Sequence, residues 1–174
     1  RIELRDTDTQ QVIDALAQGR ADIGIASGTH RLNGVKSVSL FDDRFGLVCA
    51  SDHPLANQAK TPTIAEVRAA KFIRNNLCEM IESTEFHDAV STAEISVHNT
   101  LSLIAMVRQG TWVTVLPQTV ARFMPAALAF RPITGLDARR RVFLHLRERT
   151  HFPDLSEEFC SVLTESLVDD LRPA

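Results

Sequence analysis

Ala93-Glu94-Ile95-Ser96-Val97-His98-Asn99-Thr100-Leu101-Ser102-Leu103-Ile104-Ala105-Met106-Val107-Arg108-Gln109-Gly110-Thr111-Trp112-Val113-Thr114-Val115-Leu116-Pro117 reads as strand, helix, strand with little chain between them. Glu94 to Val97 alternates polar and apolar residues, as a short strand does. A side-chain oxygen of Asn99 or Thr100 can accept one of the unpaired N–H groups of a first helical turn. Leu103, Ile104 and Val107 follow at helical spacing and form one apolar face. Gly110 supplies the left-handed residue that ends a helix. Val113 to Leu116 reads as a buried strand, closed by Pro117. Polar Asn99 and Thr100 therefore stand between a strand end and a helix N-terminus, where free N–H groups and the helix dipole favour a small anion.

Working outward, the same alternation recurs. Ile2-Glu3-Leu4 reads as a strand. Asp8 or Thr9 caps a helix carrying Val12, Ile13 and Leu16, Gly19 ends it, and Asp22 to Ala26 is the next strand. Residues 2–26 thus predict a strand–helix–strand unit with a parallel strand pair and a right-handed crossover. Ligands of open α/β sheets bind at the carboxyl ends of such strands, which here are the polar turns Thr7–Thr9 and Ser27–Thr29. Val35 to Phe41 and Phe45 to Ala50 read as two strands separated by Asp42-Asp43-Arg44. Thr63 to Glu66 fits a capping box. Lys71 to Arg74 reads as a strand with Asn75-Asn76 as its exit, 79–90 as a helix, and Gln118 to Met124 as another. Leu128 to Ile133 and Arg141 to Leu146 read as an antiparallel strand pair. Asp154 caps a last helix with Leu155, Phe159, Val162, Leu163 and Leu167 on one face. Helices alternate with strands throughout, so the class is α/β.

With 174 residues, 44% of them hydrophobic, the chain can bury roughly 70% of its unfolded surface. A net charge of −3 argues against this chain gripping DNA, because phosphate binding needs a basic face. Cys49, Cys78 and Cys160 are odd in number and widely spaced; no disulfide framework is visible, which points to a reducing cytosol. No apolar run of membrane-spanning length and no signal peptide is found. The chain opens at Arg1 without Met and reads as a fragment.

Three stretches together resemble the effector-binding domain of LysR-type transcriptional regulators. Val107, Gly110, Val113, Leu116 and Pro117 lie in register with the family run "V-x-x-G-x-G-V-x-x-L-P", with Trp112 standing where the family usually has glycine. Leu16, Gly19, Asp22, Gly24 and Ile25 follow "L-x-x-G-x-x-D-x-G-I", and His53-Pro54-Leu55 after a strand is a family habit. The resemblance implies a two-lobed, type II periplasmic-binding-protein-like fold. Each lobe would be a mixed sheet flanked by helices, and two crossing strands would join them. It places residues 1–45 with 129–174 in regulatory lobe I, whose first strand and helix would be missing, and residues 46–128 in regulatory lobe II. It further implies a cytoplasmic, non-enzymatic sensor of a small organic anion bound between the lobes. Such regulators form dimers or tetramers and reach DNA only through an N-terminal domain absent from this chain; no cofactor, metal or membrane is implied.

No GxSxG, HExxH or Gly-rich phosphate loop is present. Glu85, His87 and Asp88 could suggest a metal site but fit a solvated helix face. Arg139-Arg140-Arg141 could be a phosphate patch but fits an edge-protecting or solvated run. Asn99 and Thr100 are helix caps by chemistry and effector contacts by resemblance, and Thr9 reads the same way. Thr7 and Ser27 are further candidates. Arg74 and Asn75 leave a strand together, and the arginine could hold a carboxylate bidentately or form a surface ion pair. Trp112 either fills the core or narrows the pocket and stacks on a ring. Two rival classes share the fold: a transporter's solute-binding protein, which a secretory signal would favour, and an enzyme, which would need an acid–base pair in the cleft.

Overall fold

The computed structural model describes residues 2–28, 32–149 and 153–170. In chain order its elements are α1 (Thr9–Ala17), β1 (Ile23–Ser27), β2 (Val35–Ala50), α2 (Pro54–Asn57), α3 (Ile64–Ala69), β3 (Ile73–Arg74), a 3-10 turn (Asn76–Met80), α4 (Thr84–Val90), β4 (Ile95–Ser96), α5 (Thr100–Val107), β5 (Thr114–Pro117), α6 (Gln118–Arg122), β6 (Leu128–Arg131), β7 (Arg139–Arg147) and α7 (Pro153–Asp170). The class is mixed α/β, as the alternating pattern predicts. The chain divides into two compact units, residues 1–42 with 141–174, and residues 43–140.

The 43–140 unit holds the larger core, and strand periodicity builds it. Leu47 and Cys49 of β2, Val115 of β5 and Phe72 beside β3 face one cluster, with Ile64 and Val67 of α3 and Phe86, Ala89 and Val90 of α4. Their sequence neighbours Val48, Leu116 and Ile73 face a second cluster, with Leu103 and Val107 of α5. Alternation with period two thus gives one sheet two apolar faces, each covered by helices. Each fully buried Leu, Ile, Val or Phe contributes roughly 1.5–3 kcal/mol. β2 lies between β6 and β5 and pairs antiparallel with both, Leu47 standing opposite Arg131 on one edge and Val115 on the other. The Phe72–Val113 bridge adds β3 parallel to this sheet, and β4 pairs parallel with β3. Gly46 is required where the strands meet: a Cβ there would come within 2.4 Å of the Phe130 ring and 2.7 Å of the Arg131 carbonyl.

In the other unit α1 packs on β1 through Ile13, Leu16 and Ala26. Asp8 caps α1, its carboxylate accepting the Gln11 N–H at 2.9 Å, and Gly19 ends the turn at φ +71°.

Four expectations are corrected. Residues 2–8 form no strand, and Ile2 and Leu4 are 76% and 92% exposed. A strand exists only where its backbone groups find partners; β1 pairs antiparallel with β7 instead, so there is no parallel pair in residues 2–26. Asp42-Asp43-Arg44 does not break the chain, and β2 runs on for 16 residues. Charged residues sit inside this strand because they are paired: Arg140 binds the buried Asp43, and Arg141 binds Asp42 at 3.1 Å. Residues 128–131 pair with Leu47–Ala50 rather than with 141–146. They therefore belong to the 43–140 unit. Residues 79–90 are not one helix: the 3-10 turn ends at Met80, and Ser83 caps α4 with its hydroxyl on the Phe86 N–H.

Two polar groups hold this frame. The Asp43 side chain is 1% exposed and accepts Nε and Nη2 of Arg140 at 3.1 and 3.0 Å. It also accepts the Thr119 N–H at 3.0 Å, capping α6 from a distant strand because Pro117 offers no side-chain cap. His53 caps α2, Nδ1 accepting the Leu55 N–H at 3.1 Å, so the imidazole must be neutral at that nitrogen. Burial lowers its pKa, against the opposing charge of Asp52.

Asp43→Ala is expected to lose about 3–5 kcal/mol in urea unfolding, because the Arg140 charge is left without its partner; Asp43→Asn should lose less. Because the folded pKa of His53 is depressed, its contribution is present above the unfolded value of about 6.5 and is lost as pH falls below it. Urea unfolding at about pH 7 and about pH 5 should therefore show the wild type losing more stability than His53→Asn, which keeps a cap that cannot protonate.

Candidate functional site

The parallel pairing of β3 and β4 brings two polar strand ends to the same place. Arg74 stands opposite Ser96, and the Val97 N–H donates to the Arg74 carbonyl at 2.8 Å. Beyond these ends come Asn75-Asn76 from one strand and His98-Asn99-Thr100 from the other. The His98 ring (Nδ1) hydrogen-bonds Asn76 Oδ1, tying the two exits together.

Asn99 is the N-cap of α5. Its Oδ1 accepts the Ser102 N–H at 3.0 Å. The N–H groups of Thr100 and Leu101 have no partner inside the helix, and the Thr100 side chain is exposed. The Arg74 guanidinium, one-third exposed, pairs through Nη2 with Glu79 at the end of the 3-10 turn. The local surface thus offers an arginine, an amide, a hydroxyl and a helix N-terminus, the donor set of an oxyanion site.

Asn75 stands apart from this set. It is 8% exposed, and both amide protons are used, on Thr114 Oγ1 and the Val115 carbonyl at 3.0 Å each. Its Oδ1 accepts the Leu77 N–H at 2.9 Å and opens the 3-10 turn. Thr114 in turn donates to the Ile73 carbonyl at 2.8 Å. Asn75 fixes the backbone from which Arg74 and Asn76 project. Trp112 packs against the cluster of Val48, Ile73, Leu103, Val107 and Leu116, with Lys71 Nζ 5.8 Å from the ring centroid. That is a core position with a cation on its open face.

In the other unit Thr9 and Ser27 come together: Thr9 Oγ1 accepts the Ser27 N–H at 3.4 Å. Thr7 lies two residues before α1 and is exposed, its hydroxyl on the Gln11 side chain. Thr29 lies outside the described residues. His98, Asn76 and Glu79 were missed by sequence reading. Adjacency to Asn99 and Asn75 could have nominated the first two; nothing in the spacing from Arg74 pointed to Glu79.

The other motifs have local partners. Arg139, Arg140 and Arg141 each pair with a carboxylate, of Asp137, Asp43 and Asp42, so they form no open phosphate patch. His87 binds the Ile81 carbonyl at 2.7 Å, and no group of three or more His, Cys, Asp or Glu residues among the described ones could hold a metal. Cys49 and Cys78 are fully buried, and burial pushes both thiols up to about 11. Burial, then Glu157, raises Cys160. Among the described residues no helix is long and apolar enough to cross a membrane.

The arrangement defines a regulatory-domain type of α/β fold with a polar site at strand ends. The chain belongs to the LysR substrate-binding domain family, whose model matches residues 1–168. Its fold is the type II periplasmic-binding-protein-like fold of that family. The regulatory domain of Synechocystis CcmR in complex with 2-PG is similar in structure, with a TM-score of 0.73, 17% identity, and coverage of 100% of this chain and 86% of that one. The reduced form of the OxyR regulatory domain from Pseudomonas aeruginosa matches at TM-score 0.67 and 23% identity over 96% of this chain and 80% of its own. A full-length OxyR variant from the same organism matches at TM-score 0.66 and 22% identity over 92% of this chain. The chain spans about half the length of such full-length regulators, 56% in that case. No curated protein matches it in sequence.

The buried thiols generate a test. A thiolate is the reactive form, and raised pKa values with no solvent contact suppress it. An aromatic disulfide reagent at neutral pH should label no more than Cys160 in the native chain and all three cysteines after denaturation; rapid native labelling of Cys49 or Cys78 would contradict the packing described.

Proposed function

We propose that this domain senses a small organic anion and, in the whole protein, controls transcription through a DNA-binding domain outside this sequence. The observation that carries the reading is the convergence of Arg74, Asn76, His98 and Thr100 at the carboxyl ends of β3 and β4, beside the α5 N-terminus. Family membership and the 2-PG-bound CcmR domain support it. Thr100 and its N–H take one oxygen of the ligand, and Arg74 takes the charge. Asn99 and Asn75 keep these groups in place, the first as the helix cap and the second from inside the sheet. Trp112 acts from below, by packing against α5. In the other unit Thr9, Thr7 and Ser27 are separate candidates for effector contact, Thr9 and Ser27 sharing a hydrogen bond.

The domain works as a sensor, not a catalyst. Its ligand shifts a conformational equilibrium only by binding one state better than another. The full regulator is an oligomer in the cytoplasm, and the domain needs no cofactor.

A thermal-shift screen of the chain against small organic anions, 2-PG among them, tests the reading. A ligand that binds only the native state adds about 2.7 kcal/mol at a hundred times its dissociation constant. The shift should fall sharply in Thr100→Val and Arg74→Gln, while Thr7→Val changes it least. A panel without a hit, or a hit indifferent to both substitutions, overturns the reading.

A further inference from the structure

The Arg74–Glu79 pair is the one feature of this surface that opposes anion binding. Arg74 is fixed at its backbone by β4 and by the Asn75 amide beside it. Glu79 is fixed in the same way: Cys78, its neighbour in the 3-10 turn, is fully buried and donates its N–H to the Asn75 carbonyl at 3.1 Å. The turn therefore returns the Glu79 carboxylate to the strand end from which Arg74 projects. The contact is single: Nη2 alone meets Glu79 Oε1, and among the described residues Glu79 has no second hydrogen-bond donor. The glutamate side chain is 63% exposed, so water can take it over at little cost. A carboxylate held by one N–H of a guanidinium is a weak rival to an oxyanion that takes the fork with two parallel hydrogen bonds.

We propose that Glu79 competes with the effector for Arg74, so that an oxyanion binds by displacing this carboxylate and taking the guanidinium fork with two hydrogen bonds. The proposal rests on the effector-site reading above. Any anion that takes Arg74 releases Glu79 beside it, a like charge that costs affinity. Glu79 thus sets affinity through Arg74 and does not touch the ligand.

The test measures binding of inorganic phosphate and of acetate at constant ionic strength, to the wild-type chain, Glu79→Gln, Arg74→Gln, Thr100→Val and Glu82→Gln. Glu82 is an exposed carboxylate three positions along the chain, so its substitution makes the same charge change without touching Arg74. Glu79→Gln is expected to bind phosphate up to about fivefold more tightly, the scale of an exposed ion pair. Acetate should gain by a comparable factor, because both anions displace the same carboxylate. Arg74→Gln should abolish the phosphate response, and Glu82→Gln should leave it near wild type. Equal gains in Glu79→Gln and Glu82→Gln overturn the competition, because only long-range charge is then at work. A phosphate response lost in Thr100→Val but unchanged in Glu79→Gln also overturns it and leaves the effector site standing. No phosphate response in any variant overturns it as well, and the metabolite screen then decides the site by itself.

Discussion

One buried carboxylate organises the middle of the chain. Asp43 sits inside the longest strand, where a charge is costly unless fully paired. Its two oxygens are shared between the Arg140 fork and the N–H of Thr119. The same group therefore joins three segments far apart in sequence: β2, the strand β7 and the first turn of α6. Because Asp43 and Arg140 are satisfied within the sheet, β2 and β7 pass through the unit boundary without a turn, and α6 starts directly after Pro117 with a borrowed cap. A neutral residue at either position would leave the other charged and unpaired.

The sheet of the 43–140 unit carries a second, milder constraint. Its strands are apolar on both faces, so register is held by hydrogen bonds and by fit rather than by an inside-outside contrast. Gly46 contributes the fit, since the Phe130 ring and the Arg131 carbonyl occupy the space a side chain would need. Arg131 itself donates to the carbonyls of Ala56, Gln58 and Lys60, pinning the segment that follows His53. Asn75 and Thr114 supply the polar counterpart within the interior, with every amide proton of Asn75 committed.

What the sequence made legible follows from range. The strand–helix–strand unit around Asn99 was readable because its signals are local: alternation, a cap, a helical face and Gly110. The α1 cap, the Thr63–Glu66 capping box and the class were readable for the same reason. The break inside 79–90 was missed although its signal, the Ser83 cap, is local; the other failures are long-range. Ile2-Glu3-Leu4 has a strand's alternation, but alternation does not supply a pairing partner. Asp42-Asp43-Arg44 looks like a turn until Arg140, nearly a hundred residues away in sequence, is placed beside it. Leu128 to Arg131 could pair on either side by composition, and only the register with Leu47–Ala50 decides. At the candidate site Arg74, Asn99 and Thr100 were found by position at element ends. Asn75 reads from sequence as a surface exit residue, yet its side chain turns inward to Thr114, a contact 39 positions distant.

That division between inward and outward groups separates the frame from the candidate site. The groups that set backbone position at the strand ends, Asn75, Thr114, Cys78 and Ile73, are buried, and their hydrogen bonds run to backbone or to one another. Changing them costs stability before it changes recognition, because a buried polar group without its partner loses about 1–3 kcal/mol. Arg74, Asn76, Glu79, His98 and Thr100 project from the same backbone into solvent, where substitutions cost little. The chemistry of the ligand can therefore vary through exposed side chains while the frame stays constant. Trp112 lies between the two classes: its ring packs under α5, so a change there alters the seat of the helix that carries Thr100 without altering any group that meets solvent at the site.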